Sequence, residues 1–227
     1  GQAIAGRLES QVRGLTMQLR NSKDAQAMVD TTEGALQEIT SILQRMRELA
    51  VQASNGTATA ADRGYLDTEV EALSAEIDAI AANTTFNENA LLTDTQYSFF
   101  ADINITGTAI ITTAISATNE GLGVTAGDVE LGTVAVAILA ITAIDNAISQ
   151  VDDDRAHMGA VSNRLDHIID QLTNTIANTA AAQSRVQDTD YAVETTALTR
   201  ATILQQAATS MIAQANANKN SILSLLT

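Results

Sequence analysis

The sequence contains no proline, no cysteine and no tryptophan, and its only rings are Tyr65, Tyr97, Tyr191, Phe86, Phe99 and Phe100. Each absence excludes something. Without cysteine there is no disulfide, no thiolate metal centre and no cysteine nucleophile. Without proline, no helix interior is broken by a ring that removes a backbone donor. With aromatics at 3 %, a core cannot rest on large ring anchors. Basic residues are also sparse. Twelve Lys and Arg stand against 27 Asp and Glu, a net charge of −15, so phosphate backbones are repelled and no nucleic-acid partner is expected. No run reaches ~18 consecutive apolar residues, so no membrane span is expected. The most apolar stretch, Val134 to Ile144, is short and interrupted by Thr142. No basic stretch followed by an apolar block opens the sequence.

What is present is aliphatic. Hydrophobic residues make up 45 % of the 227, mostly Ala, Ile, Leu and Val, which excludes a disordered acidic tail. An Ala/Ile/Leu-rich chain without proline suits long helices packed side by side. The fold class expected is mainly α: a long antiparallel helical rod, a coiled-coil-like bundle, with a small β-hairpin region in its central segment.

Residues 1–54 read as helix. Leu8, Val12, Leu15 and Leu19, then Leu36, Ile39, Leu43, Met46 and Ala50, recur at steps of three and four, an apolar seam. A continuous helix of that length would run roughly 80 Å. Gly6, Gly14 and Gly34 weaken it by about 1 kcal/mol each relative to alanine. Gln2–Arg7 already reads as helix with no cap before it, so the sequence is expected to begin inside a longer helix. Asn55-Gly56 signals a turn. Thr59-Ala-Ala-Asp62 then starts a second helix, carried by Leu66, Val70, Leu73, Ile77 and Ile80 and stopped at Asn83-Thr84-Thr85.

Residues 95–133 change character. They hold no Lys or Arg, alternate polar with β-branched residues, and contain five glycines. They read as short strands and turns, with Asn119-Glu-Gly-Leu-Gly123 as the hairpin turn. Helix returns near Ala135, with a seam of Ile141, Ile144, Ile148, Val151, Met158, Val161, Leu165, Ile168 and Leu172. A last helix follows Asp188-Thr189-Asp190, read as its cap. After Arg200 the only charge is Lys219, and an uncharged apolar helix is expected to bury itself against something. The boundaries drawn are 1–94, 95–133, 134–187 and 188–227.

No constellation for catalysis or metal binding emerges. His157 and His167 stand about 15 Å apart along one helix and cannot share a metal. Asp152-Asp153-Asp154 points in three directions on a helix and reads as a solvated face. Gly121-Leu-Gly-Val-Thr-Ala126 matches a dinucleotide pattern in letters only, because no helix opens after it. Asn55-Gly-Thr57, Asn83-Thr-Thr85 and Asn104-Ile-Thr106 match a glycosylation pattern too common in turns to be informative. No nucleophile with its base and no acid–base carboxylate pair stands out, so neither an enzyme nor a cofactor is expected.

Longer motifs are more specific. Gly14-Leu-Thr, Arg20-Asn-Ser-Lys-Asp24, Thr31-Thr-Glu-Gly-Ala-Leu36, Ile42-Leu-Gln-Arg-Met-Arg-Glu-Leu-Ala-Val-Gln52 and Phe86-Asn87 with Leu91-Leu92 resemble the N-terminal conserved region of bacterial flagellins. Gly159-Ala-Val-Ser-Asn-Arg-Leu165, Ser184-Arg-Val-Gln-Asp-Thr-Asp-Tyr-Ala192, Ile203-Leu-Gln-Gln-Ala-Ala-Thr-Ser210, Ala213-Gln-Ala-Asn216 and Leu223-Ser-Leu-Leu226 resemble the C-terminal region. The resemblance covers residues 1–92 and about 141–227. It implies a subunit of the flagellar filament, secreted and assembled outside the cell, with the two conserved ends folded together as a rod. Residues 95–133 would be a reduced variable region. Residues 188–227 would be one half of an inner coiled coil, the other half lying before Gly1.

The resemblance also implies partners and contact residues. Self-association is the first, with an export chaperone and a cap protein. Gln44, Arg45, Arg47, Glu48, Leu49, Val51, Glu69, Ile144 and Ile148 would form subunit contacts, and an innate immune receptor would read the same positions. Ile203, Leu204, Met211, Ile222, Leu223 and Leu226 would serve assembly of the filament core. Two alternatives remain: the hook–filament junction protein, and a surface adhesin binding cell-surface glycan through the polar region around Tyr97, Phe99 and Phe100.

Overall fold

The computed structural model describes residues 1–99, 110–112, 114–187 and 191–225. Helix α1 (Gln2–Ala53) is unbroken over 52 residues, its glycines included. Helix α2 (Ala60–Asn83) begins where the sequence signals it. Asp62 N donates to Thr59 Oγ1 at 3.2 Å, while Thr59 N donates to Asp62 Oδ2 at 2.9 Å. This reciprocal capping box satisfies donors that the first helical turn leaves open. Thr84 N donates to Ile80 O and closes the far end.

Among the described residues, three antiparallel two-stranded pairings follow. β1 (Thr85–Phe86) and β2 (Asn89–Ala90) form a tight hairpin whose turn residues, Asn87 and Glu88, both have positive φ, the backbone twist that a two-residue hairpin demands. β3 (Thr93–Thr95) pairs with β6 (Ile115–Ser116), and β4 (Ser98–Phe99) with β5 (Ile110–Ile111). Tyr97 Oη donates to Ala90 O at 2.6 Å, tying this ribbon to the first hairpin. Phe100, Ile103, Ile105 and the Asn104 pattern lie outside the described residues.

The Asn119-Glu-Gly-Leu-Gly123 segment is not the hairpin turn that its composition suggests. It is a one-turn helix, α3 (Asn119–Leu122). Gly121 N donates to Thr118 Oγ1 at the start, and Gly123, at φ +66°, ends it in the left-handed region. A hydroxyl cap before and a glycine after make a helix signal as readily as a turn signal. Gly121 is itself required, because a Cβ there would collide with Ser116.

Helix α4 (Val134–Gln187) spans 54 residues and α5 covers Tyr191–Leu225. The Asp188-Thr189-Asp190 cap lies outside the described residues. The chain divides into two compact units. In the larger, Glu9–Ala180, α1 runs antiparallel to both α2 and α4. Gln26 reaches Ser162 at 3.3 Å, Glu33 reaches Arg155 at 2.9 Å and Arg47 reaches Asp145 at 2.6 Å, so numbers rise on one helix as they fall on the other. Leu36, Ile39, Leu43 and Met46 of α1 meet Val70 and Ile77 of α2 and Ile144, Val151 and Leu165 of α4 in one continuous buried core. These are the seam residues that the three–four spacing picks out.

The segment 115–132 straps along α2. Ser74 Oγ donates to Val124 O at 2.8 Å, Asn119 N to Asp78 Oδ1 at 2.8 Å and Leu131 N to Asp67 Oδ1 at 2.7 Å. Side chains of α2 thus satisfy backbone groups that no ladder covers, while Leu122, Val124, Val129 and Leu131 enter the core.

Among the described residues, α4 is the one helix long and apolar enough to cross a membrane by length and composition. This departs from the count of consecutive apolar residues, which Thr142 interrupts. Its Ala137, Ala140, Ile144, Ala147 and Val151 are buried in the protein core instead.

In the smaller unit, Gly1–Leu8 with 181–227, Ala5 is buried. On α5 every side chain described from 193 to 218 is exposed, so the surface that its sequence is expected to bury against is not supplied by the described residues.

Candidate partner-binding surface

Two exposed regions, one in each unit, carry the residues singled out from the sequence. The first centres on α1 between Gln44 and Val51. A helix buries one stripe and offers the rest to solvent. Met46, Leu49 and Ala50 face the core, while Gln44, Arg45, Arg47, Glu48 and Val51 are exposed. Leu49 is 1 % exposed and Ile144 is fully buried, and Ile148 is half-buried. These three pack beneath the surface and set the spacing of the helices that carry it.

The exposed positions form an ionic lattice. Arg45 donates from Nε and Nη2 to Glu69 Oε1 at 3.0 and 2.8 Å, and from Nη1 to Glu48 at 3.2 Å. Those hydrogen bonds, that to Glu69 foremost, hold the guanidinium charge more firmly than usual. Arg47 turns the other way and donates to Asp145 on α4, which raises its pKa likewise. Two arginines two positions apart therefore clip α1 to a different helix on each side. Their side chains are about half exposed, so they fix relative placement more than they stabilise the fold.

Exposed apolar residues flank this lattice. Val51 is 47 % exposed, and Ile138 and Leu139 at the start of α4 are 53 % and 67 % exposed. Isolated exposed apolar residues are ordinary. Here they stand one or two turns from the Arg47–Asp145 pair. Sequence reading missed Ile138 and Leu139, although adjacent large aliphatics off the Ile141–Ile144 seam were a signal. It also missed an open groove of about 350 Å³ between α1 and α2, lined by Gly34, Ala35, Glu38, Glu76, Ala79 and Ile80. Its signal was the pairing of small residues off the seam on both helices.

The second region is α5. Ile203, Leu204 and Met211 are 59 %, 62 % and 70 % exposed, joined by Leu198 and Ile212. Ile222 and Leu223 lie on α5, and Leu226 lies outside the described residues. A helix with so little charge and so much exposed aliphatic surface has no energetic reason to stay in water.

Chemistry of other kinds finds little footing. Among the described residues no group of three or more His, Asp or Glu is arranged to hold a metal. His157 and His167 are exposed. Within the acidic run, Asp154 is half-buried, and burial raises its pKa. His157 opposes the shift and Asp153 adds to it.

Residues 1–97 match the family model described as the bacterial flagellin N-terminal helical region, and residues 141–226 match the bacterial flagellin C-terminal helical region. A flagellin of Halalkalibacterium halodurans is 40 % identical over 229 residues, spanning all of this chain and 84 % of that protein. A Bacillus subtilis flagellin is 36 % identical over 259 residues, spanning all of this chain and 85 % of its own length. The crystal structure of Bacillus cereus flagellin superposes with a TM-score of 0.61 at 38 % identity, over 72 % of this chain and 94 % of that one. A Vibrio parahaemolyticus protein described as flagellar hook-associated superposes with a TM-score of 0.68 over 80 % of this chain and 95 % of that one, but at 16 % identity it shares the fold alone.

Proposed function

Because this chain belongs to the bacterial flagellin family and is a structural subunit of the flagellar filament, we propose that its two exposed regions are its assembly contacts. One observation carries this reading. Helix α5 keeps every described side chain from 193 to 218 exposed, Ile203, Leu204 and Met211 among them. Burial of such side chains is worth about 1.5–3 kcal/mol each, which favours withdrawal of the helix from water in the assembled state. Ile222, Leu223 and Leu226 continue that segment. Subunits joined head to tail through a non-closing contact generate a filament.

On the larger unit, Gln44, Arg45, Arg47, Glu48, Val51 and Glu69 are the contact residues proposed. Leu49, Ile144 and Ile148 hold them from beneath. An innate immune receptor would meet this same surface. Secretion, with an export chaperone and a cap protein as partners, is part of the same proposal, supported by membership of the family. A glycan partner through 95–133 gains no support from Tyr97, whose hydroxyl donates to Ala90 O.

The test is co-sedimentation of the chain with preformed filament seeds. Leu204→Glu with Met211→Glu is expected to abolish co-sedimentation and leave helical circular dichroism unchanged. Undiminished association of that variant would remove α5 from the assembly contact.

A further inference from the structure

The turn between α1 and α2 carries the single Asn-Gly pair of the sequence, Asn55-Gly56. Both residues are exposed. The Thr57 N–H donates to Asn55 Oδ1 at 3.1 Å, folding the side-chain amide back over the peptide that joins Asn55 to Gly56. The backbone bonds around it run from Ser54 N to Ala50 O, Asn55 N to Gln52 O and Ala58 N to Asn55 O. They leave the Gly56 N–H uncommitted. Nothing beyond its two chain neighbours lies within 4 Å of where a Gly56 Cβ would stand, so the rest of the fold does not crowd this turn.

We propose that Asn55 is a site of spontaneous, non-enzymatic modification, converted with time to a mixture of aspartate and isoaspartate. The deprotonated Gly56 nitrogen attacks Asn55 Cγ and forms a C–N bond. The Cγ–Nδ2 bond breaks, and Nδ2 takes up a proton and leaves as ammonia. Water then opens the resulting succinimide at either carbonyl, giving aspartate or isoaspartate. Negative charge develops on Oδ1 during the attack, where the Thr57 N–H already points, the placement that stabilises an oxyanion.

Six of the other asparagines differ in ways the fold dictates. Asn21, Asn146, Asn163, Asn174 and Asn178 lie inside α1 or α4, where the following N–H is bonded to a carbonyl one turn back. Thr84, which follows Asn83, gives its N–H to Ile80 O. Conversion at Asn55 adds a negative charge at the entry to α2, and isoaspartate also inserts a methylene into the main chain between two helices. A subunit that stays in place for long would carry this change as a function of its age.

The experiment incubates the whole chain in mildly alkaline buffer, folded and separately in urea, with conversion followed by peptide mapping and by methylation with an isoaspartyl methyltransferase. The folded chain is expected to convert at Asn55 before any other asparagine, at least as fast as in urea, and Gly56→Ala is expected to lose most of the product. An intact Asn55 in the folded chain alongside conversion in urea would overturn the proposal. So would earlier conversion at another asparagine.

Discussion

Arg45 on α1 places two guanidinium nitrogens on a single carboxylate oxygen of Glu69 on α2, at 3.0 and 2.8 Å. Both side chains are about half exposed, so the pair orients the helices while contributing little net stability. Arg45→Ala is expected to shift the thermal midpoint only slightly, yet to weaken association with filament seeds. A fall in midpoint matching that of a buried-core truncation would show that the pair is structural instead.

The capping box gives α2 an acid-sensitive start. Hydrogen bonds from the Thr59 hydroxyl, then from the Thr59 backbone N–H, lower the Asp62 pKa below its ordinary 3.8. A carboxylate depressed in the folded state stabilises it above the unfolded value and loses that contribution as pH falls through the folded one. The first turn of α2 is therefore expected to lose protection against amide exchange, measured relative to the unfolded chain, as pH falls below 3.8 and through the lowered value. Asp62→Asn should show the reduced protection at neutral pH as well, with little further loss in acid.

Asp154 works in the opposite sense. Burial raises its pKa, so protonation is favoured in the folded chain. The relief is fully present below the unfolded pKa and is lost as pH rises through the folded one. His157 opposes the shift and Asp153 reinforces it. Asp154→Asn is expected to raise the thermal midpoint at neutral pH and to have no effect in acid. Equal midpoints at neutral pH would refute this.

Two glycines should respond oppositely to alanine. Gly34 sits in the interior of α1 with nothing within 4 Å of an added Cβ. Gly34→Ala is expected to stabilise the chain by about 1 kcal/mol through helix propensity. At Gly121 the added carbon meets both the side chain and the carbonyl of Ser116. Gly121→Ala should therefore lower the urea midpoint and release the strap along α2.

Much of the larger unit was legible in the sequence because a three–four repeat encodes which face of a helix is buried. Leu36, Ile39, Leu43, Met46 and Ala50 are all fully buried. Partners across helices were not legible. Spacing along α1 shows that Arg45 and Arg47 are exposed, but not that one turns to Glu69 and the other to Asp145. The α3 segment was misread because a cap followed by glycine serves a turn and a short helix alike. Exposure of α5 could not be read locally, since an apolar sequence states that burial is favourable without saying by what.

Three hydrogen-bonded side-chain pairs between α1 and α4 among the described residues join positions 98, 122 and 136 apart, whereas Arg45 and Glu69 are separated by only 24. Contacts so unequal in sequence distance impose an order of events. The α1–α2 hairpin closes a short loop and can form early and fast. The α1–α4 seam must close loops of 98 to 136 residues, and that loop entropy opposes it before any of its contacts form. Folding of the larger unit is thus expected to be limited by docking of α4, with Leu165 and Val151 engaging α1 last. Until then the buried face of α1 is only half covered, and a chain halted before α4 would be the species most exposed to misassembly.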